Sequence, residues 1–120
     1  SGQLGLADNI DRNVPVLIPV ANVLQLALGA DSTCVQHTDG IVRCWGNNSS
    51  GQLGDGTGVS YNSPTLIPRL AGFSSITLGA SHGCGLSPDL GVVCWGNNSS
   101  GQLGDGTYNQ RLSPVAVLWP

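Results

Sequence analysis

The chain has 120 residues, a net charge of −3 and only 9% charged residues, which leaves no basic field for nucleic acid or anionic lipid. Hydrophobic residues make up 40%, too many for a disordered chain, yet no apolar run is long enough to cross a membrane as a helix. Met, Lys and Glu, all good helix formers, are absent while Gly reaches 18, so the composition excludes a helical protein and points to an all-β one rich in turns.

The sequence repeats itself. Ser1-Gly-Gln-Leu-Gly5 recurs at Ser50–Gly54 and at Ser100–Gly104, and the fourteen residues Cys44–Thr57 return unchanged at Cys94–Thr107. Trp45 and Trp95 lie fifty positions apart, as do Cys34 and Cys84. A period near fifty in an all-β chain predicts propeller blades of four antiparallel strands.

In chain order, residues 1–20 are left over ahead of the first full repeat. Pro15–Val20 reads as an orphan outer strand, with residues 1–20 forming the linker and outer strand of a preceding blade. Residues 21–70 and 71–120 are then one blade each. Leu24–Leu28 alternates apolar and polar as an innermost strand should. Thr33–His37 and Ile41–Trp45 follow as a hairpin, and a loop Thr38-Asp39-Gly40 would set Gly40 in the left-handed region and Cys34 opposite Cys44. Thr65–Leu70, next to Pro64, reads as an outer strand, since proline belongs at sheet edges. The second blade repeats this with Ser75–Leu78, Gly83–Ser87, Val92–Trp95 and Pro114–Trp119. Its turn Gly is displaced to position 91, which suggests a hairpin loop one residue longer.

Leu78-Gly-Ala-Ser-His-Gly-Cys84, Cys94-Trp-Gly-Asn-Asn and Gly101-Gln-Leu-Gly-Asp-Gly together resemble the repeat of the regulator of chromosome condensation family. The resemblance covers essentially the whole chain. It implies an arc of a closed propeller, usually of seven blades. It also makes His82 the repeat's characteristic histidine, where the first repeat departs from the pattern with Ser32. Two blades cannot bury their own flanks, so the expectation is that further blades of a longer chain, or other copies of this one, complete the ring.

The four cysteines stand as two equivalent pairs, Cys34/Cys44 and Cys84/Cys94. Their spacing lacks the short knuckle of zinc sites. Buried thiols are an alternative, but the reading taken here is one cross-strand disulfide per blade, which would place the protein outside the cytosol or on the cell surface. Trp45, Trp95, Leu53, Leu103 and His82 recur with the repeat and are assigned to packing within and between blades. His37, at a hairpin end, is expected to be solvated. Asp55 and Asp105 lie in glycine-rich loops with neither the lysine of a phosphate loop nor the glutamate of a calcium-binding hand. Asn48 and Asn98 fall in glycosylation-type triplets inside the identical motif, a match taken as incidental.

No metal, cofactor or catalytic constellation is predicted, and the chain reads as a non-enzyme. The stretches that differ between repeats, 6–13, 58–62 and 108–112, offer Arg12, Tyr61, Tyr108 and Arg111 as anchors for a protein partner. An assembly subunit built through open blade edges is the alternative. Nucleotide exchange on a small GTPase, as in the founding family member, and secreted enzyme inhibition are weaker readings.

Overall fold

The structure, a computed structural model, describes residues 1–118. It contains eight strands and one 3-10 turn, Pro68–Leu70. The strands are β1 (Val23–Leu28), β2 (Ser32–His37), β3 (Val42–Gly46), β4 (Tyr61–Leu66), β5 (Ser75–Leu78), β6 (His82–Ser87), β7 (Gly91–Gly96) and β8 (Arg111–Ala116). They form two four-stranded antiparallel sheets, ordered β1-β2-β3-β4 and β5-β6-β7-β8. Each sheet is one blade of the predicted kind, and the inner strands fall within about one residue of their expected places.

The outer strands sit earlier than expected. β4 and β8 begin at Tyr61 and Arg111, so Pro64 lies inside an edge strand instead of before it, and Pro114 lies inside one instead of opening it. The polar start Tyr61-Asn62-Ser63 carries no hydrophobic alternation, because an edge strand here is only half-buried. Residues 67–70, expected as strand, turn inward instead. The 3-10 turn carries Ile67 and Leu70 into full burial. Residues 15–20 take up no strand, since no third strand lies beside them to pair with. The expected end of the last outer strand, Trp119, lies outside the described residues.

Both hairpins close with Cys opposite Cys. The first pairs Cys34 with Cys44, and Gly40 has φ +87° in the three-residue loop. The second pairs Cys84 with Cys94 and Ser87 with Gly91. Its loop is therefore Pro88-Asp89-Leu90, the same length as the first and not one residue longer. Gly91 takes positive φ at the paired position itself, which absorbs the displaced glycine without changing register.

Alternation gives each sheet two faces. The face of the first sheet carrying Cys34, Val42 and Cys44 packs against the face of the second carrying Ile76, Val93 and Trp95, with Leu53, Ile67, Leu70 and Phe73 closing the core. Phe73 meets Trp95 edge-on at 6.2 Å, an arrangement worth about 1 kcal/mol beyond burial. On the opposite face of the first sheet Val35 and Trp45 are buried, but the inner strand β1 is open. Leu26 is 59% exposed where its counterpart Ile76 is 6%.

The linking loops cap the next blade. Trp95 Nε1 donates to the carbonyl oxygen of Gln52, in the loop that follows β3, at 2.8 Å. Trp45 Nε1 makes the same bond to Gln3 at 2.7 Å. Gly54 and Gly5 lie under these indoles, where a Cβ would come within 3.1 Å and 2.7 Å of the ring. Both also have φ of +73°, so only glycine fits there without strain.

Candidate functional site

A buried polar network holds in place the loop between the third and fourth strand of each blade. Asn48 is fully buried. Its Oδ1 accepts from the Leu53 N–H at 2.9 Å, and its Nδ2 lies within donating distance of Asp55 Oδ1, the Thr57 carbonyl and the Val59 carbonyl. Asn98 repeats this with Leu103, Asp105, Thr107 and Asn109. A buried amide that must satisfy four backbone and carboxylate groups is a structural residue. The sequence showed these asparagines only as glycosylation-type triplets; their fixed distance from Asp55 and Asp105 in both copies was the signal of their real partners.

The two aspartates organise the loop tips. Thr57 N–H and Oγ1 both donate to Asp55 at 2.9 Å, and the Tyr61 hydroxyl donates to its Oδ2 at 2.8 Å. Burial disfavours the charged form of Asp55, but the bonds from Tyr61, Thr57 and Asn48 outweigh it and hold its pKa below the ordinary carboxylate value. The Tyr61 hydroxyl is correspondingly raised, first by its bond to Asp55 and then by burial. In the second blade Thr107 donates to Asp105, and Arg111 Nε reaches its Oδ2 at 2.7 Å. The Thr107 hydroxyl and then Arg111 hold the Asp105 carboxyl far below the usual range. Tyr61 and Arg111 both pair with the glycine ending the third strand, Gly46 and Gly96. They are one position of the repeat solving one task with different chemistry.

The expected anchors therefore divide. Tyr61 and Arg111 face their own loop aspartates and are half-buried. Arg12 is paired with Asp8 at 2.8 Å on the surface. Tyr108 stands out, 76% exposed, with Val59 exposed in the first loop. Trp45, Trp95, Leu53 and Leu103 are buried. His82 is half-buried at the start of β6, and a Cβ on Gly79 would come within 2.6 Å of its ring. The cysteine sulfurs lie at bonding distance, 2.13 Å for Cys34–Cys44 and 2.09 Å for Cys84–Cys94. Among the described residues no three His, Cys, Asp or Glu side chains gather as a metal site.

His37 departs from expectation. It is 7% exposed rather than solvated, because the chain entering β1 folds over it. Its Nδ1 lies 2.8 Å from the Ala21 carbonyl oxygen and its Nε2 3.1 Å from Arg43 NH1. A carbonyl only accepts and a guanidinium only donates, so the tautomer protonated on Nδ1 satisfies both. His37 and Arg43 line a groove of about 540 Å³ with Pro19, Asp39, Ile41 and Pro64.

Comparison with known proteins agrees with this geometry. The pattern of the regulator of chromosome condensation (RCC1) repeat matches residues 39–86, and a second RCC1-repeat pattern matches 23–52 and 73–102, half of the chain. The X-linked retinitis pigmentosa GTPase regulator of Mus musculus is 39% identical over 57 residues, 44% of this chain and 6% of that protein. The ultraviolet-B receptor UVR8 of Arabidopsis thaliana is 33% identical over 73 residues, 58% of this chain and 17% of the receptor. The chain thus spans under a fifth of either relative. Human WBSCR16 superposes with a TM-score of 0.79 at 28% identity, covering 99% of this chain and 33% of that one. Prp20p of Saccharomyces cerevisiae gives 0.78 at 16% identity, over 98% of this chain and 32% of its own, a likeness of fold alone. Repeat, register and neighbours agree: the chain belongs to the regulator of chromosome condensation repeat family and forms part of a β-propeller of that type.

Proposed function

We propose that this chain is a non-catalytic protein-interaction module that presents variable loop tips on a fixed frame, outside the cytosol or on the cell surface. One observation carries the reading. The two repeats keep identical networks at Asn48/Asp55 and Asn98/Asp105, yet the residues those networks hold outward, Gly58-Val59-Ser60 and Tyr108-Asn109-Gln110, share no residue. A rigid frame with divergent exposed tips is the arrangement of a recognition surface. The paired cysteines support an oxidising compartment. Prp20p, a protein of the same fold, binds Gsp1p and histones and, as yeast RCC1, is bound by Kap60, so protein partners suit this architecture.

The double variant Val59→Ser/Tyr108→Ser tests it. Neither residue supports the frame, so the melting temperature should not move. Capture of a cross-linked partner from the source organism's extracellular fraction should fall about tenfold, as for a lost aromatic anchor. Unchanged capture would refute the loop-tip surface.

A second reading, an assembly subunit, is favoured by the open inner strand of the first sheet, where Leu24, Leu26 and Leu28 are exposed. On this reading residues 21–70 and 71–120 are blades, residues 1–20 belong to a preceding blade, and further blades or another copy cover the leucines.

A further inference from the structure

The two blades meet at a groove of about 290 Å³. Arg69 and Phe73 come to it from the link between the blades, Asp89 and Leu90 from the β6–β7 hairpin, Val93 from β7 and Pro114 from β8. Both blades that wall it are present, so the groove belongs to a closed blade boundary. It is smaller than the pockets that enclose drug-sized ligands and has room for one large side chain. The repeat does not dictate this lining. Fifty positions earlier the residues are Pro19, Gly40 and Arg43 in place of Arg69, Leu90 and Val93, whereas Asp39 and Pro64 match Asp89 and Pro114. The frame keeps an aspartate and a proline and changes what stands between them, as a recognition surface does.

The floor is apolar and the rim carries both charges. Phe73 and Val93 are buried beneath the groove, while Leu90 stands 63% exposed at the hairpin tip. Arg69 and Asp89 are exposed on the rim. Among the described residues the ion pairs are Arg12–Asp8 and Arg111–Asp105, so the two rim charges pair neither with each other nor with a third group. Each is nonetheless placed. The Arg69 guanidinium lies against Gly56, where a Cβ would come within 3.2 Å of its Nε and NH2. Asp89 is set by its turn, in which Ser87 Oγ accepts the Asp89 and Leu90 N–H groups at 3.3 and 3.4 Å.

We propose that this groove docks an exposed segment of a partner protein that inserts one large aliphatic side chain between Leu90 and Pro114, with a carboxylate beside it for Arg69 and a cation for Asp89. The proposal rests on the reading of the chain as an interaction module and gives it a second surface, at the hairpin end of β7, whereas the 108–110 loop tip follows the other end of that strand. Opposite charges across an apolar floor match a partner of mixed charge. A purely acidic segment would be repelled by Asp89 and a purely basic one by Arg69. The inserted side chain supplies the affinity and the rim charges select the partner.

The test is an NMR titration of the full chain with the capped peptides Ac-Glu-Leu-Lys-NH2 and Ac-Lys-Leu-Glu-NH2, the two orders in which one segment can meet both charges. One of them should give saturable shifts at the Leu90 and Val93 amides and at Arg69 Nε–H. Replacing its Leu by Ala should weaken binding about tenfold, and giving it two Glu or two Lys about threefold. Leu90→Gly, which imports the residue of the first hairpin, should abolish the response. Arg69→Gln, at an exposed side chain, should remove the advantage of the mixed-charge peptide over the one with two Lys. No saturable shift with either peptide at millimolar concentration, equal binding of the Ala peptide, or variants that bind unchanged would overturn the proposal. So would free leucine matching the peptide, which would make the groove a small-molecule site, or the same shifts on concentrating the chain alone, which would make it a self-association face. If the groove fails while Val59→Ser/Tyr108→Ser still lowers partner capture, the interaction-module reading survives without it; groove binding with unchanged capture would sink the loop-tip surface alone.

Discussion

Trp95 donates its indole N–H to the Gln52 carbonyl oxygen 2.8 Å away, across the boundary between the two blades. Trp95→Phe would keep most of the ring's packing and leave that carbonyl buried without its donor. The expected cost is about 1–3 kcal/mol, read as a lower denaturation midpoint. Trp45→Phe removes the matching bond to Gln3, which is only part-buried, so water can replace the donor and the loss should be smaller. Equal losses would mean that burial of the Gln52 carbonyl does not raise the cost of losing its donor.

The loop aspartates predict acid sensitivity. Both carboxyls are held below their ordinary value in the folded chain. Their contribution is complete above the unfolded-state value near about pH 4 and is lost as pH falls toward the depressed folded values. Thermal melts at neutral pH and at stepwise lower pH should show stability falling below that point. In Tyr61→Phe the Asp55 carboxyl loses its strongest donor, so the fall should be shallower and the neutral-pH stability lower by about 1 kcal/mol. An unchanged acid profile would show that Tyr61 does not hold the charge.

The two cysteine pairs are not equally accessible. Cys34–Cys44 is sealed in the core between the blades, whereas Cys84 lies on the outer face of the second sheet and is half-buried. Exchange with a thiol reductant depends on access. Under mild reductant and timed alkylation, Cys84 and Cys94 should therefore be labelled before Cys34 and Cys44. Each closes a sequence separation of 10, so removing either should destabilise by about 3 kcal/mol on the loop-entropy account. Simultaneous labelling would indicate that the blades part before either bond reacts.

Ser32 stands where the second repeat has His82, and its buried hydroxyl has no hydrogen-bond partner among the described residues. Ser32→Ala removes an unsatisfied group and should be neutral or stabilising by up to about 1 kcal/mol, measured by chemical denaturation. A clear loss would reveal a partner, such as an ordered water, that the hydroxyl serves.

Most of the architecture was legible because the repeat supplies its own alignment. Cys34 opposite Cys44 followed from a glycine turn placed midway between them, and the inner strands from their alternation. The outer strands were misplaced because the first was started after Pro64 and the second at Pro114, whereas an edge strand tolerates proline inside it when the missing N–H would point away from the sheet. Ile67 and Leu70 look like strand residues in sequence, but their burial comes from a 3-10 turn that aims both into the interblade core. The candidate site was less legible. Tyr61 and Arg111 share no chemistry as residue types, and only the register shows them to be one position. His37 and Arg43 lie six residues apart on separate strands, and their partner Ala21 lies in a segment with no pattern of its own, so nothing local joined the three.

The capping of Trp45 by Gln3 and Gly5, and of Trp95 by Gln52 and Gly54, separates the unit of sheet from the unit of closure. A sheet cut out at its own strand boundaries would leave behind the lid for its tryptophan, which belongs to the loop one blade earlier. The transferable piece runs from one Ser-Gly-Gln-Leu-Gly segment up to the next. Splicing at that segment, in a natural duplication or a designed array, would insert each new blade with its tryptophan already covered.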